Sequence, residues 1–434
     1  MFPISQEMLQ GVLDRLGITD ITKATIRQIC SVSAELEKEA NDRFIHLEIG
    51  NPGLPAASIG VDAECKALQS GIANQYPAIQ GEPVLKENAA KFAKAFLDVD
   101  LCPDCIIPTV GSMQGSFTLM LLLKHRDAVK DSVLFLNPGF PAQRTQAHIL
   151  GLREESFDIY DYRGAKLEEK LESYFATGRI TAMIYSNPNN PAWTNLTDEE
   201  LEIIGRLATK YDVIVMEDLA YMGMDFRSDF SQPGVAPFVP SVARYTDNYI
   251  LLMSASKIFS YAGQRIALVA MSEKVAHRKS AELKAFFGIE GMLDAYIFGV
   301  LYAASSGTSH SSQFALAAML QAAVEGKLNF VADSREYGRR GGIIKKMLTD
   351  NGFHIVYAID GNEPISDGFF FTAGYKDMSS AELQSELIRY GISSISLPST
   401  GSEQNGVRIC VSMISTDDDF RIIEERLKAF NRDH

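Results

Sequence analysis

Cysteine is scarce and unpatterned in this chain: five among 434 residues, an odd set without the spacing of a disulfide framework. Cys102 and Cys105 form one C-x-x-C, but no second pair or nearby histidine completes a zinc site, so we expect no metal and reduced thiols in a cytosolic protein. Basic residues are also in deficit. Lys and Arg number 41 against 55 Asp and Glu, and the net charge of −14 argues against nucleic acid or an anionic membrane surface as a partner. Apolar runs such as Phe117–Leu123 and Ala295–Ala304 fall short of the ~20 residues that a membrane span needs. The first ten residues lack a basic start and an apolar run, so no secretory signal is expected. No G-x-G-x-x-G follows a strand-like run, which sets aside a nicotinamide dehydrogenase. Repeats, low-complexity tracts and Pro/Gly/Ser linkers are missing as well.

What remains is an ordinary globular composition, 46% hydrophobic and 22% charged, on a chain long enough for about two or three domains. Short runs rich in Val, Ile, Leu and Tyr predict buried strands at Ser132–Leu136, Ile180–Tyr185, Asp212–Glu217, Tyr249–Met253 and Ile266–Met271. Between two of them Thr197, with Glu200 three residues on, predicts a capping box that opens a helix. Strands alternating with helices predict an α/β fold: a three-layer large domain whose mostly parallel sheet is covered on both faces. Past about residue 320 the pattern changes to a charged helix (Ser334–Asn351), strands near Phe369–Thr372 and Val407–Met413, and helices over Ser380–Tyr390 and Asp417–Phe430. The expected division is therefore a helical N-terminal segment, 1–49, packed on a smaller α+β domain, 320–434, with the large domain at 50–319.

Ligands of open parallel sheets sit beyond the carboxyl ends of the strands. There the sequence places Asn137-Pro138-Gly139-Phe140, Asn187-Pro188-Asn189-Asn190-Pro191, Glu217-Asp218-Leu219-Ala220-Tyr221, Ser254-Ala255-Ser256-Lys257 and Gly263-Gln264-Arg265. A lysine at a strand tip suits Schiff-base chemistry with an aldehyde cofactor, because desolvation or a nearby cation lowers its pKa. Ser254 and Arg265 can bind a phosphate, as can the amides of Ser112 and Met113 at a helix start. A buried Asp218 can keep a pyridine nitrogen protonated, which makes the ring an electron sink. Phe140 can stack on such a ring, and Asn190 and Tyr221 can donate to its phenolic oxygen.

These strings together resemble the fold-type I pyridoxal-phosphate enzymes, specifically the class I/II aminotransferases of the aspartate aminotransferase superfamily. Ser254-Ala255-Ser256-Lys257 with Gly263 and Arg265 is similar to the family's S-x-S-K-x(5)-G-x-R. Asn187–Pro191 is similar to its N-P-x-N-P, and Asp218 with Tyr221 to its D-x-x-Y. The resemblance covers the chain from about Leu47 onward. It implies pyridoxal 5′-phosphate as cofactor and Lys257 as the residue that bonds it and carries the proton between substrate and cofactor. It implies that Arg408, in Gly406-Val407-Arg408-Ile409, grips the substrate α-carboxylate, and that Gly50 and Asn190 lie against the substrate. Tyr76 is implied to reach the cofactor phosphate of a neighbouring subunit, hence a homodimer. The implied reaction moves an amino group between an amino acid and a 2-oxo acid. A C–S β-lyase or related eliminase on the same fold is the alternative, and a non-catalytic amino-acid-sensing module a third reading. The sequence departs from the family where Ala192-Trp193 replaces the usual Thr-Gly, and no position matches a second, side-chain-reading arginine.

Overall fold

Strands made of Val, Ile, Leu and Met survive as sheet centres only if both faces are covered, and that condition organises the whole molecule. The structure, a computed structural model, describes residues 2–434. Among these residues, seven strands form the central sheet: β1 (Ile106–Thr109), β2 (Ser132–Asn137), β3 (Arg153–Asp158), β4 (Ile180–Ser186), β5 (Ile214–Asp218), β6 (Tyr249–Ser254) and β7 (Ala267–Met271). Their order is β1-β7-β6-β5-β4-β2-β3. β7 runs antiparallel to both neighbours, and the remaining pairings are parallel.

Successive side chains point to opposite faces, so each strand feeds two cores. Leu134, Val215 and Leu251 enter one; Val133, Met216 and Leu252 enter the other, with Leu119 and Leu122 of the helix Gly111–Lys124 packed over them. Each fully buried Leu or Ile contributes about 1.5–3 kcal/mol. The capping box forms between β4 and β5: the Thr197 hydroxyl accepts from the Glu200 N–H at 3.2 Å, and the Glu200 carboxylate accepts from the Thr197 N–H at 2.9 Å. That helix, Asp198–Tyr211, ends with Asp212 in the left-handed region, so β5 starts at Ile214, two residues later than the apolar pattern predicts.

The C-terminal part builds a second, antiparallel sheet from β8 (Phe353–Ile355), β9 (Phe370–Tyr375), β10 (Ile395–Ser396) and β11 (Val407–Cys410), ordered β10-β11-β9-β8. Its core includes Phe371, Ile409, Leu427 and Phe430. The helix Phe330–Asp350 bridges both units: Phe330, Val331 and Tyr337 belong to the large core, Ile344 and Leu348 to the small one. At the N-terminus, helices Gln6–Arg15 and Ile26–Ala40 pack against Ile388 and Ile395, and Ile45–His46 pairs in parallel with Ile392–Ser393. The segment after that pairing, Leu47–Pro52, thereby passes from the small unit toward the tips of the large sheet. Among the described residues the five cysteines form no disulfide, and no helix is long and apolar enough to cross a membrane.

Candidate active site

Register alone gathers most of the candidate residues. Ser254 at the end of β6 pairs with Ala267 of β7, and Ala267 pairs with Thr109 of β1. Gly111–Met113, Arg265 and Ala255–Lys257 therefore leave the sheet at the same end. Asp218, the last residue of β5, pairs with Ser186 and Leu252, and its carbonyl accepts from the Asn187 N–H at 3.2 Å.

Lys257 sits in the short helical turn Ala255–Ile258. Its Nζ donates to the Gly50 carbonyl and lies 5.4 Å from the centre of the Phe369 ring. Burial is the main cause that lowers its pKa to about 8, helped by Arg408 and Arg265 and opposed by Cys410. Asp218 is buried and accepts at 3.2 Å from both the Ala220 N–H and Gln143 Nε2. Desolvation still pushes its carboxyl up to about 6. Tyr221 is buried, and burial raises its hydroxyl well above the usual phenol value.

Arg408 arrives from β11, 2% exposed, with its guanidinium 4.8 Å from the centre of the Phe370 ring. Nη2 donates to the Glu48 carbonyl, and Nη1 approaches Asn190 Oδ1 at 3.4 Å. Its Nε is buried without a partner, and burial lowers its pKa. The Asn190 N–H is held by Ser186 Oγ at 3.1 Å. Gly50 lies against Phe370, whose ring edge would be 3.6 Å from a Cβ there.

Hydrogen-bond donors gather at the start of the helix Gly111–Lys124. Gly111 has φ +70°, and a Cβ on it would come within 2.3 Å of Arg265 Nη2, so glycine is what lets the guanidinium meet the helix start. The Ser112 hydroxyl is buried with no hydrogen-bond partner. Met113 is partly exposed, its carbonyl taken by Gln146 Nε2 at 2.8 Å. Ser254 Oγ accepts from the Ser256 N–H at 3.1 Å. Phe140 is the half-buried residue before the helix Pro141–Leu150. Tyr76 stands apart from this group, 95% exposed on the chain's surface.

The Aminotransferase class I and II family model matches residues 43–425, most of the chain. The chain belongs to the class I and II aminotransferase family. Its relatives include nicotianamine aminotransferase 1 from Oryza sativa subsp. japonica, 26% identical over 257 residues, which are 58% of this chain and 50% of that protein. Another is glutamate-pyruvate aminotransferase AlaC from Escherichia coli (strain K12), 27% identical over 336 residues, which are 75% of this chain and 73% of that one. The chain spans about half the length of the nicotianamine aminotransferases that it matches. In fold it is similar to a substrate-bound structure of BacF from Bacillus subtilis, with TM-score 0.76 at 20% identity over 95% of this chain and 96% of that one. A double mutant of Thermus thermophilus aspartate aminotransferase gives TM-score 0.74 at 19% identity, covering 96% and 98%.

The family's cofactor is pyridoxal 5′-phosphate, and the residues present fit it. The unpartnered Ser112 hydroxyl and the Arg265 guanidinium against Gly111 offer donors to a phosphate, and Asp218 offers a buried anion to a protonated ring nitrogen.

Sequence reasoning missed several neighbours of this class I and II aminotransferase site. Gln143 holds Asp218, and Phe369 and Phe370 face Lys257 and Arg408. Glu48, fully buried, binds His46 Nδ1 at 2.8 Å and the Ser393 hydroxyl. A lone acid within Phe44–Ile49 was the available signal for Glu48. Trp193 explains the departure from Thr-Gly. Its φ of +66° suits glycine and costs another residue about 1–2 kcal/mol, yet the side chain is fully buried, edge-on to Tyr221 at 5.5 Å and to Phe370 at 6.1 Å.

Two adjacent carboxyls at the end of β5 make the cofactor-free chain sensitive to pH. Glu217, on the opposite face from Asp218, is pushed up to about 7 by burial, although the Ser241 hydroxyl, the Val242 N–H and the Tyr185 hydroxyl all donate to it. The folded chain keeps both protons at pH values where the unfolded chain has lost them. Stability therefore falls as pH rises from about 4 to about 7, by about 3 kcal/mol for each group. Urea unfolding of the cofactor-free chain at about pH 5 and about pH 7.5 measures this loss, and it is expected to shrink in Glu217→Gln; an unchanged loss would refute the assignment.

Proposed function

We propose that the protein is a pyridoxal-phosphate-dependent aminotransferase that moves an amino group between an L-amino acid and a 2-oxo acid. The observation that carries this reading is convergence: Lys257 Nζ and Arg408 Nη2 bond carbonyls two residues apart, Gly50 and Glu48, although they come from different units of the fold. An amino acid whose carboxylate meets Arg408 presents its α-amino group and Cα toward Lys257.

When bound, the cofactor supplies an electron sink for the pair of electrons released at the substrate Cα. The chain's own groups do the rest. Arg408 takes the carboxylate, with Nε free to join the clamp. Lys257, lowered to about 8, would hold the cofactor through its aldehyde, and its ε-amine, when free, would be the group that moves the proton between the substrate Cα and the cofactor. Asp218 would hold the proton on the ring nitrogen, and Asn190 and Tyr221 would donate to the phenolic oxygen. Ser112, Met113, Ser254 and Arg265 would hold the phosphate, and Phe140 would cover the ring. Residues 50–319 carry the cofactor, 320–434 bring Arg408, and 1–49 pack on the latter. Tyr76 reaches a second subunit's phosphate in a homodimer, a reading supported by its exposure on the surface of this chain, and the cytoplasm is the proposed location. A mass of one chain at full activity would refute the dimer.

Ping-pong kinetics are the test of the reaction. Initial rates against both substrates should give parallel lines, and one amino acid alone should convert the cofactor to its amino form. Intersecting lines with no such half-reaction would overturn the proposal, as would pyruvate and ammonia released without accumulation of the amino form, the mark of a β-lyase.

A further inference from the structure

The lone tryptophan has no role in the reading above, yet its side chain is fully buried against Tyr221. Trp193 takes a left-handed backbone and buries its whole side chain, and its indole N–H has no hydrogen-bond partner. It is wedged so closely against Gly368 that a Cβ there would lie 2.0 Å from the ring. Only a glycine at 368 admits the indole. Backbone strain of this kind clusters at functional sites.

The indole edge meets Tyr221 at 5.5 Å and 69°, while Phe370 and Phe369 close two more sides of the tyrosine ring at 5.3 and 5.4 Å. Edge-to-face packing against Trp193 and Phe370, with Phe369 tilted at 54°, restrains the ring in both tilt and depth. The Tyr221 hydroxyl, in contrast, makes no hydrogen bond among the described residues, so aromatic packing alone sets where it points. We propose that Trp193 is a positioning residue that fixes the Tyr221 ring and so aims the Tyr221 hydroxyl at the cofactor's phenolic oxygen. This rests on the cofactor assignment made above.

The aim has an electrostatic consequence. A hydroxyl that donates to the phenolic oxygen draws negative charge away from the protonated nitrogen that Lys257 contributes beside it. Loosening Tyr221 leaves more charge there and moves the titration of the visible band upward. The charged and titratable groups facing Tyr221 are Asp218, Arg408 and Cys410, and those facing Lys257 are Arg265, Arg408 and Cys410. A change at Trp193 leaves all of them in place.

The test is spectroscopic titration of the cofactor-loaded chain, Trp193→Phe and Trp193→Gly, each with and without Tyr221→Phe. We expect the midpoint of the visible band to rise by about half a unit to one unit in the Trp193 variants, and to move no further once Tyr221→Phe is present. An unchanged midpoint, or an equal shift in the Tyr221→Phe background, would overturn the inference. If both Trp193 variants fail to fold, the unaltered chain decides through its single tryptophan. Added pyridoxal phosphate should quench most of its emission by energy transfer, and titrating the visible band should change that emission with the same midpoint. Emission indifferent to either overturns the placement. A wild-type chain that forms no visible band fails at the cofactor assignment itself, and both ideas fall with it.

Discussion

Lys257→Ala should lose transamination by about 10⁴-fold or more while remaining folded. The expectation follows from what the ε-amine does and from how little it gives to stability. At its lowered pKa of about 8 the amine is neutral in a useful fraction near neutral pH; at the ordinary lysine value about one part in three hundred would be neutral at pH 8. In the proposed role, removing it takes away both the bond to the cofactor aldehyde and the base that handles the Cα proton, and water does not replace a positioned amine. The folded chain gives up one hydrogen bond to the Gly50 carbonyl and the stem's packing. It also sheds a desolvated ammonium, which offsets part of that loss. Absorption spectra and gel filtration of the purified variant check both halves. The variant should hold the cofactor without attachment, through the phosphate cradle at Gly111, Ser112 and Arg265, and release it on dialysis. A folded variant that keeps the attached-cofactor band, or turns over at more than about a hundredth of the wild-type rate, would sink the assignment.

The strands that carry this site were legible in the sequence for a physical reason, and the missed ones were missed for another. β2, β4, β5 and β6 are buried on both faces, so they read as continuous apolar runs. β3 and β1 are the sheet's edges. β3 begins Arg153-Glu154-Glu155, exposed and polar, and β1 contains Pro108, which an edge tolerates and a centre does not. β3 lacks the apolar run of a buried strand, and Pro108 interrupts that of β1. The same distinction divides the site. Asp218, Ser254 and Lys257 follow directly from their strands, so spacing locates them. Gln143, Glu48 and Phe369 reach the site through tertiary packing, from a helix, from the N-terminal segment and from the loop before β9. Local pattern carries no record of such meetings. Trp193 lies between these cases: its position was visible as a departure, but its meaning depended on Gly368, far along the chain, making room for it.

Asp218→Asn should separate stability from function in opposite directions. The carboxyl is fully enclosed and its pKa is raised to about 6 by desolvation, so above that pH the cofactor-free chain holds a poorly solvated anion. The amide of the variant is close to isosteric and can still accept from the Ala220 N–H. It ends the cost of ionisation. Below about pH 4, where the carboxyl is protonated in both folded and unfolded chains, variant and wild type should be equally stable. Above about pH 6 the cofactor-free variant should be the more stable by about 3 kcal/mol. Loading reverses the order. A protonated ring nitrogen would turn the wild-type anion from a liability into half of a buried ion pair, and breaking such a pair costs about 3–5 kcal/mol. The wild type should therefore gain more in melting temperature on loading than the variant does, and more at pH 7.5 than at pH 5. The same energy appears in the rate, because the electron sink depends on that proton: turnover should fall by about 10²- to 10⁴-fold. Melting curves of both chains, with and without cofactor, and steady-state kinetics measure these effects on one set of samples. A cofactor-free variant less stable than wild type at pH 7.5, or one with undiminished turnover, would mean that Asp218 is a structural acid and that the ring nitrogen lies elsewhere.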